Sequence, residues 1–230
     1  MPPRYAVPIW QPPVLPIVGS DEVFPVHRIW CVARNYAAHA REMGSDPNRD
    51  PPCFFSKPAQ ALVPGGGPVP YPPASSDFHY ESELVVAIGK SGAGISASES
   101  LNYVYGYAVG IDLTRRDLQT VARKTGMPWD MAKGFDFSAP CGPVHPVATV
   151  GHPATGSITL TVNGQLRQSG NLGDMIWPVA DILSQLSGLV TLAAGDLVFT
   201  GTPEGVGPLV RGDCVVATVA GLRGVEVLVV

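Results

Sequence analysis

Basic residues are scarce in this 230-residue chain: 15 Lys and Arg stand against 19 Asp and Glu, for a formal net charge of −4. That balance excludes a nucleic-acid binder working through a basic surface. Charged residues of both signs make up only 15% of the chain and hydrophobic residues 45%, a mix too apolar for intrinsic disorder. Cysteines are few and scattered. Cys31, Cys53, Cys141 and Cys214 form no C-x-x-C pair, so reduced, packed thiols are expected rather than a disulfide framework. No apolar stretch approaches the ~20 residues of a membrane span, and Pro8, Pro12, Pro13 and Pro16 break the first segment. Neither membrane insertion nor secretion is expected, and the cytoplasm is the default compartment.

Glycine and proline, by contrast, are abundant, at 26 and 24 residues without a G-X-Y period. Many turns and short strands follow from that, not a helical bundle. A chain of this size buries roughly 70% of its extended surface, enough for one sizeable core. Residues Met1–Pro25 read as a proline-rich extended arm, and residues 26–230 as a single domain. Strands are expected at Ile29–Val32, around Phe54 and Phe55, at His79–Ile88, at Val104–Ile111, and on both sides of Asn163-Gly164, a strong hairpin signal. Helices are expected at Asn35–Met43, from Thr114 as N-cap to Lys124, and at Pro178–Leu186. Pro64–Pro73 reads as turns, Ser45–Pro52 as a mobile loop, and the final segment as a hairpin around Ala220–Gly224. No βαβ alternation occurs, so the fold class is α+β, rich in strands.

Glu81 and Glu83 stand two apart on a strand, hence on one face. Asp112 follows at the end of another apolar strand. Three oxygen donors without histidine or cysteine suit Mg2+ or Mn2+ better than zinc; an edge strand whose glutamates face solvent would give the same spacing. His39 and Glu42 share one face of a short helix, where the carboxylate can fix the imidazole tautomer and leave the other nitrogen to take a proton from water. The neighbouring Ser45–Pro52 loop would let this helix act as a lid; an exposed helical pair with no duty is the alternative. Arg116 and Gln119 likewise share a face, suited to an anionic substrate or simply solvated along with Arg115, Arg123 and Lys124. Lys133 lies in a mostly uncharged run, where it is either buried against an anion or snorkelling. The turn from Thr200 to Gly207 is no phosphate loop, since no G-K-[ST] follows, though its amides and the Thr202 hydroxyl can hold a carboxylate. His27, His79, His145 and His152 lack ligand spacing and read as structural.

In this order the segments ARNYAAHAREMG (Ala33–Gly44), FSKP (Phe55–Pro58), HYESELVVAIGK (His79–Lys90), GYAVGIDLTRRDLQ (Gly106–Gln119), PWDMAKGFD (Pro128–Asp136) and GDLVFTGTPEGVGP (Gly195–Pro208) resemble the fumarylacetoacetate hydrolase family. The likeness covers residues 26–230 and is strongest to the short, single-domain acylpyruvate hydrolase branch, and there to bacterial fumarylpyruvate hydrolases. It implies a mixed β-sandwich roll of the family's C-terminal domain type with a few short helices, a homodimer, and Mg2+ or Mn2+ held by Glu81, Glu83 and Asp112. It further implies a His39–Glu42 dyad on a lid, Lys133 beside the reacting atoms, and substrate contacts from Arg34, Arg116, Gln119, Lys133 and Thr202. Two positions depart from the family pattern: Ala33 stands where glycine is common, and Tyr80 where histidine is. The implied reaction is hydrolytic C–C cleavage of a 2,4-diketo acid such as fumarylpyruvate. Alternatives are oxaloacetate decarboxylation, an isomerase or decarboxylase of aromatic-degradation diacids, and a non-catalytic binding relative.

Overall fold

A computed structural model of the chain describes residues 3–42 and 51–230. The larger of its two main sheets is built from β1 (Ile29–Ala33), β2 (Cys53–Lys57), β3 (Leu62–Pro64), β6 (Ser82–Ile88), β7 (Val104–Ile111), β8 (Ala139–Cys141) and β11 (Leu197–Phe199), in the order β2-β1-β11-β6-β7-β8-β3. The second runs β10-β9-β12-β13-β4, from strands Gln165–Asn171, Ser157–Val162, Cys214–Val219, Val225–Val229 and Gly66–Val69. Between Gly66–Val69 and Ser82 lies β5 (Phe78–Tyr80), which pairs with short strands at Thr114–Arg115 and Gly207–Pro208. Both main sheets mix parallel and antiparallel pairs. The strand-rich roll with few helices is the expected fold class.

The central strand β6 is buried along its whole length, and period-two alternation divides its side chains between two cores. Leu84, Val86 and Ile88 meet Ile158, Leu160 and Val215 of the second sheet. Val85 and Ala87 face the opposite way, against Cys31, Ala108 and Phe199. Leu15, Ile17 and Phe24 also pack there, because Val14–Pro16 and Val23–Pro25 pair as a hairpin within the N-terminal segment. Gly110 on β7 is a requirement of this layer, as a Cβ there would stand 2.5 Å from the Phe199 ring.

Four helices matter below: α1 (Ala37–Glu42), α2 (Arg116–Thr125), α3 (Asp130–Lys133) and α4 (Val179–Leu189). Gly126 closes α2 in the left-handed conformation (φ 69°), as expected of glycine. Thr114 does not cap it. Arg115 precedes the helix without a side-chain cap, while Thr114 sits in a strand and its hydroxyl is taken by other partners. Asn163 and Gly164 both have positive φ, giving the expected hairpin between β9 and β10. One expected turn region differs, because Gly66–Val69 adds to the sheet edge in parallel with β13. Its Gly-Gly-Pro sequence hides a strand held by backbone pairing. Ser45–Asp50, most of the expected loop, lies outside the described residues.

Candidate metal and substrate site

The register of β6 against β7 builds the acidic cluster. Ser82 pairs with Ile111 and Glu83 with Gly110; continued by one residue, that register sets Asp112 opposite Glu81, and the Asp112 N–H donates to the Glu81 carbonyl at 2.8 Å. Directly opposed residues project to the same face, as do Glu81 and Glu83 by their spacing. The three carboxylates therefore converge, with one oxygen from each lying within 4.8 Å of the others, all three side chains buried.

Three cations close on them. Lys133, at the end of α3, donates to Glu81 Oε2 (2.9 Å), Asp112 Oδ2 (2.7 Å) and Thr114 Oγ1 (2.7 Å), so all three ammonium protons are committed. Arg116, the first residue of α2, donates through Nη2 to Glu81 and through Nη1 to Gln119. Lys57 on β2, fully buried, donates to the backbone carbonyls of Leu113 and Lys133 and places its ammonium 2.8 Å from Asp112 Oδ1. The direction of that last contact is not that of a hydrogen bond, and Asp112 Oδ1 accepts none among the described residues. A buried carboxylate oxygen that accepts no hydrogen bond and faces only the Lys57 ammonium among the described residues, beside two further convergent carboxylates, belongs to a donor set fitted to a hard divalent cation.

The electrostatics separate the two glutamates. Burial pushes the Glu81 carboxyl up, but Lys133 and Arg116 outweigh burial and hold it well below the usual carboxylate range. For Glu83, burial is reinforced by the Asp112 and Glu81 charges; the Gly201 N–H offsets only part, and its carboxyl stands well above that range. Burial disfavours the Lys133 ammonium, yet Asp112 and Glu81 prevail and raise its pKa. Lys133 is thus held charged, and Glu83 is the member of the cluster that most needs a further cation.

The remaining expected residues arrive from separate elements. Arg34 turns the chain between β1 and α1 in left-handed backbone (φ 60°). Ala33 belongs to regular strand, so a glycine's freedom is not required at that position. Asn35 ties this turn to the Thr200–Gly207 segment, donating to the carbonyls of Thr200 (2.8 Å) and Trp177 (3.0 Å). His39 is buried on α1, and with Arg34, Glu81, Glu83, Arg116, Gln119, Lys133 and Thr202 it lines one cavity. The Glu42 side chain lies outside what the structure describes. Gly201 donates its N–H to Glu83 Oε2 at 2.7 Å. With φ at 97°, a Cβ there would stand 2.7 Å from that of Asn35. Gly201→Ala should therefore cost at least ~1 kcal/mol, read as a fall of roughly 2–4 °C in Tm for a domain of this size; an unshifted melt would contradict this packing.

Several contributors were not foreseen. Arg123, read as solvated, lines the cavity together with Arg116 and Gln119, at positions i, i+3 and i+7 of one helix face. Phe55 and Trp129 wall it. His79 supports the site from outside: its Nε2 donates to Asp77 Oδ1 (2.7 Å), and its Nδ1 accepts from Arg116 Nε (3.5 Å). Because arginine only donates, this fixes the neutral tautomer. Tyr80, the other departure, is buried and its hydroxyl lies so close to Gly207 that a Cβ there would stand 2.7 Å from it.

A profile described as fumarylacetoacetate (FAA) hydrolase C-terminal matches residues 28–230. Among curated relatives, fumarylpyruvate hydrolase of Ralstonia sp. is 46% identical over 176 residues, covering 76% of this chain and 91% of the relative. Mitochondrial oxaloacetate tautomerase of Arabidopsis thaliana is 40% identical, covering 86% and 89%. A crystal structure of fumarylpyruvate hydrolase from Pseudomonas aeruginosa in complex with Mn2+ and pyruvate superposes with a TM-score of 0.97 at 49% identity over 99% of both chains. With this fold and this match over nearly its whole length, the chain belongs to the fumarylacetoacetate hydrolase family.

Proposed function

We propose that the chain is a metal-dependent hydrolase that cleaves a carbon–carbon bond of a 2,4-diketo acid, an acylpyruvate, with fumarylpyruvate giving fumarate and pyruvate as the first candidate. The single observation that carries this reading is the buried convergence of Glu81, Glu83 and Asp112, whose two glutamates line one cavity with His39. The Pseudomonas aeruginosa relative binds Mn2+ and pyruvate, and pyruvate is one of the two products this cleavage would release. In our reading the three carboxylates hold Mg2+ or Mn2+, which when bound supplies Lewis-acid charge for the oxygens of the keto acid.

Charge counting favours an anionic substrate. Lys57, Lys133 and Arg116 already balance the three carboxylates, so a divalent ion, with Arg34 and Arg123 also in the cavity wall, leaves an excess of positive charge that an anionic substrate would offset. Arg34, Arg116, Gln119 and Thr202 bind that substrate. His39, oriented by Glu42 one helical turn on, removes a proton from water. The resulting hydroxide adds to the 4-oxo carbon, and collapse of the adduct breaks the bond between carbons 3 and 4, releasing the acyl group as carboxylic acid. The electron pair stays with the pyruvate fragment as its enolate, and protonated His39 returns the proton to carbon 3. Lys133 stabilises the enolate by charge, exchanging its Thr114 bond for the substrate oxygen.

The same ion and enolate would also serve oxaloacetate, the substrate named in the tautomerase relative. A panel of fumarylpyruvate, acetylpyruvate and oxaloacetate, each with and without EDTA, separates the readings. The hydrolase reading expects fumarylpyruvate to be consumed fastest and EDTA to stop the reaction; faster turnover of oxaloacetate would replace it. We further propose a cytoplasmic homodimer with residues 26–230 as its catalytic unit. Four free cysteines support a reducing compartment, and exposed Trp10, Met131 and Phe137 offer apolar surface for a partner copy. Light scattering on the eluting peak tests the dimer.

A further inference from the structure

Gln168 is fully buried in the middle of β10, a strand of the second sheet that contributes no residue to the cavity wall. Its neighbours Arg167 and Ser169 are exposed, so one inward position is filled by a primary amide where a core normally takes an apolar side chain. Three hydrogen bonds account for it. Oε1 accepts from the backbone N–H of Ser82 at 2.9 Å, and Nε2 donates to Thr202 Oγ1 and to the Pro203 carbonyl, each at 2.8 Å. Ser82 is the residue between Glu81 and Glu83, and Thr202 lines the cavity. The strand is seated tightly on this turn, since a Cβ at Gly170 would stand 2.7 Å from Pro203 Cβ.

The orientation of the amide is forced. A backbone N–H can only meet Oε1, and a backbone carbonyl can only meet Nε2. Thr202 must therefore accept from Gln168, which occupies one lone pair of its oxygen and turns its own proton away from Gln168. Among the described residues that proton is given to no acceptor, and Thr202 lines the cavity. We infer that Gln168 is a positioning residue that makes Thr202 a hydrogen-bond donor to an anionic substrate oxygen, while the same amide pins the backbone between the two glutamates. The inference rests on the substrate-binding role proposed above for Thr202.

The test is a double-mutant cycle on the Mn2+-loaded enzyme, read by KM, kcat and calorimetric binding of oxalate, a planar dianion that stands in for the keto-acid end. Thr202→Val and Gln168→Met should each weaken oxalate binding and raise KM by roughly 10- to 100-fold, the scale of a hydrogen bond to a charged group, with kcat changed far less. In the Thr202→Val background, Gln168→Met should add no more than about threefold, because coupled residues lose the shared interaction once. Thr202→Ser should retain wild-type binding. If Gln168→Met does not fold, Gln168→Asn, too short to span Ser82 and Thr202, takes its place in the cycle. Unchanged oxalate affinity in a folded Gln168 variant overturns the inference, as does full additivity with Thr202→Val, or a wild-type protein that binds no oxalate. An intact cycle in a protein that hydrolyses no diketo acid leaves the inference standing and removes the reaction proposed above.

Discussion

Glu83→Ala is expected to abolish Mn2+ binding and turnover together. The substitution removes one of the three proposed ligands, the carboxyl that burial and then the Asp112 and Glu81 charges raise, and it also strips the Gly201 N–H of its acceptor at 2.7 Å. Loss of outer-sphere support alone costs metal sites roughly 10- to 100-fold in affinity, so loss of a direct ligand should exceed about 100-fold in calorimetric titration. Glu83→Gln separates ligation from folding, because the amide oxygen still accepts from Gly201 while the negative charge is gone. The expected result is a normal melt with weakened metal binding. Normal Mn2+ affinity in folded Glu83→Ala would remove Glu83 from the ligand set.

His39→Ala should behave in the opposite way, binding metal normally while kcat falls by about 10²–10⁴-fold, the usual scale for a positioned general base. His39 lies in the cavity wall but outside the acidic cluster, so its removal leaves the ligands in place. The loss should appear at saturating diketo acid in a stopped absorbance assay. Wild-type kcat would assign water activation to another group, and a parallel loss of Mn2+ affinity would mean that His39 supports the metal instead.

The acidic cluster and the helix faces were legible in the sequence because they are local. Period two places Glu81 with Glu83, and a helical turn places Arg116 with Gln119. The convergence of Asp112 on Glu81 is a register between residues 31 positions apart, and nothing local fixes it. The same limit hid Lys57. Its FSKP segment was recognisable, but its ammonium reaches Asp112 and the carbonyls of Leu113 and Lys133 only after three elements assemble. Thr114 was expected to cap the helix; in the fold its hydroxyl serves Lys133, and Asp117, three residues on as in a capping box, instead accepts from Ser75 and Ser76. Gln168 was missed because no local pattern marks it: β10 continues to Asn171 against β9, and the partners of the amide lie on other elements. His79, assigned a structural role, supports Arg116 through an imidazole whose partner lies on another element.

Diffraction from crystals grown with Mn2+, collected at a wavelength where manganese scatters anomalously, locates the ion without any assumption about substrate. The account requires one strong peak per protomer, bounded by carboxylate oxygens of Glu81, Glu83 and Asp112. A cluster with no manganese signal, its carboxylates satisfied by Lys57, Lys133 and Arg116 alone, would contradict it.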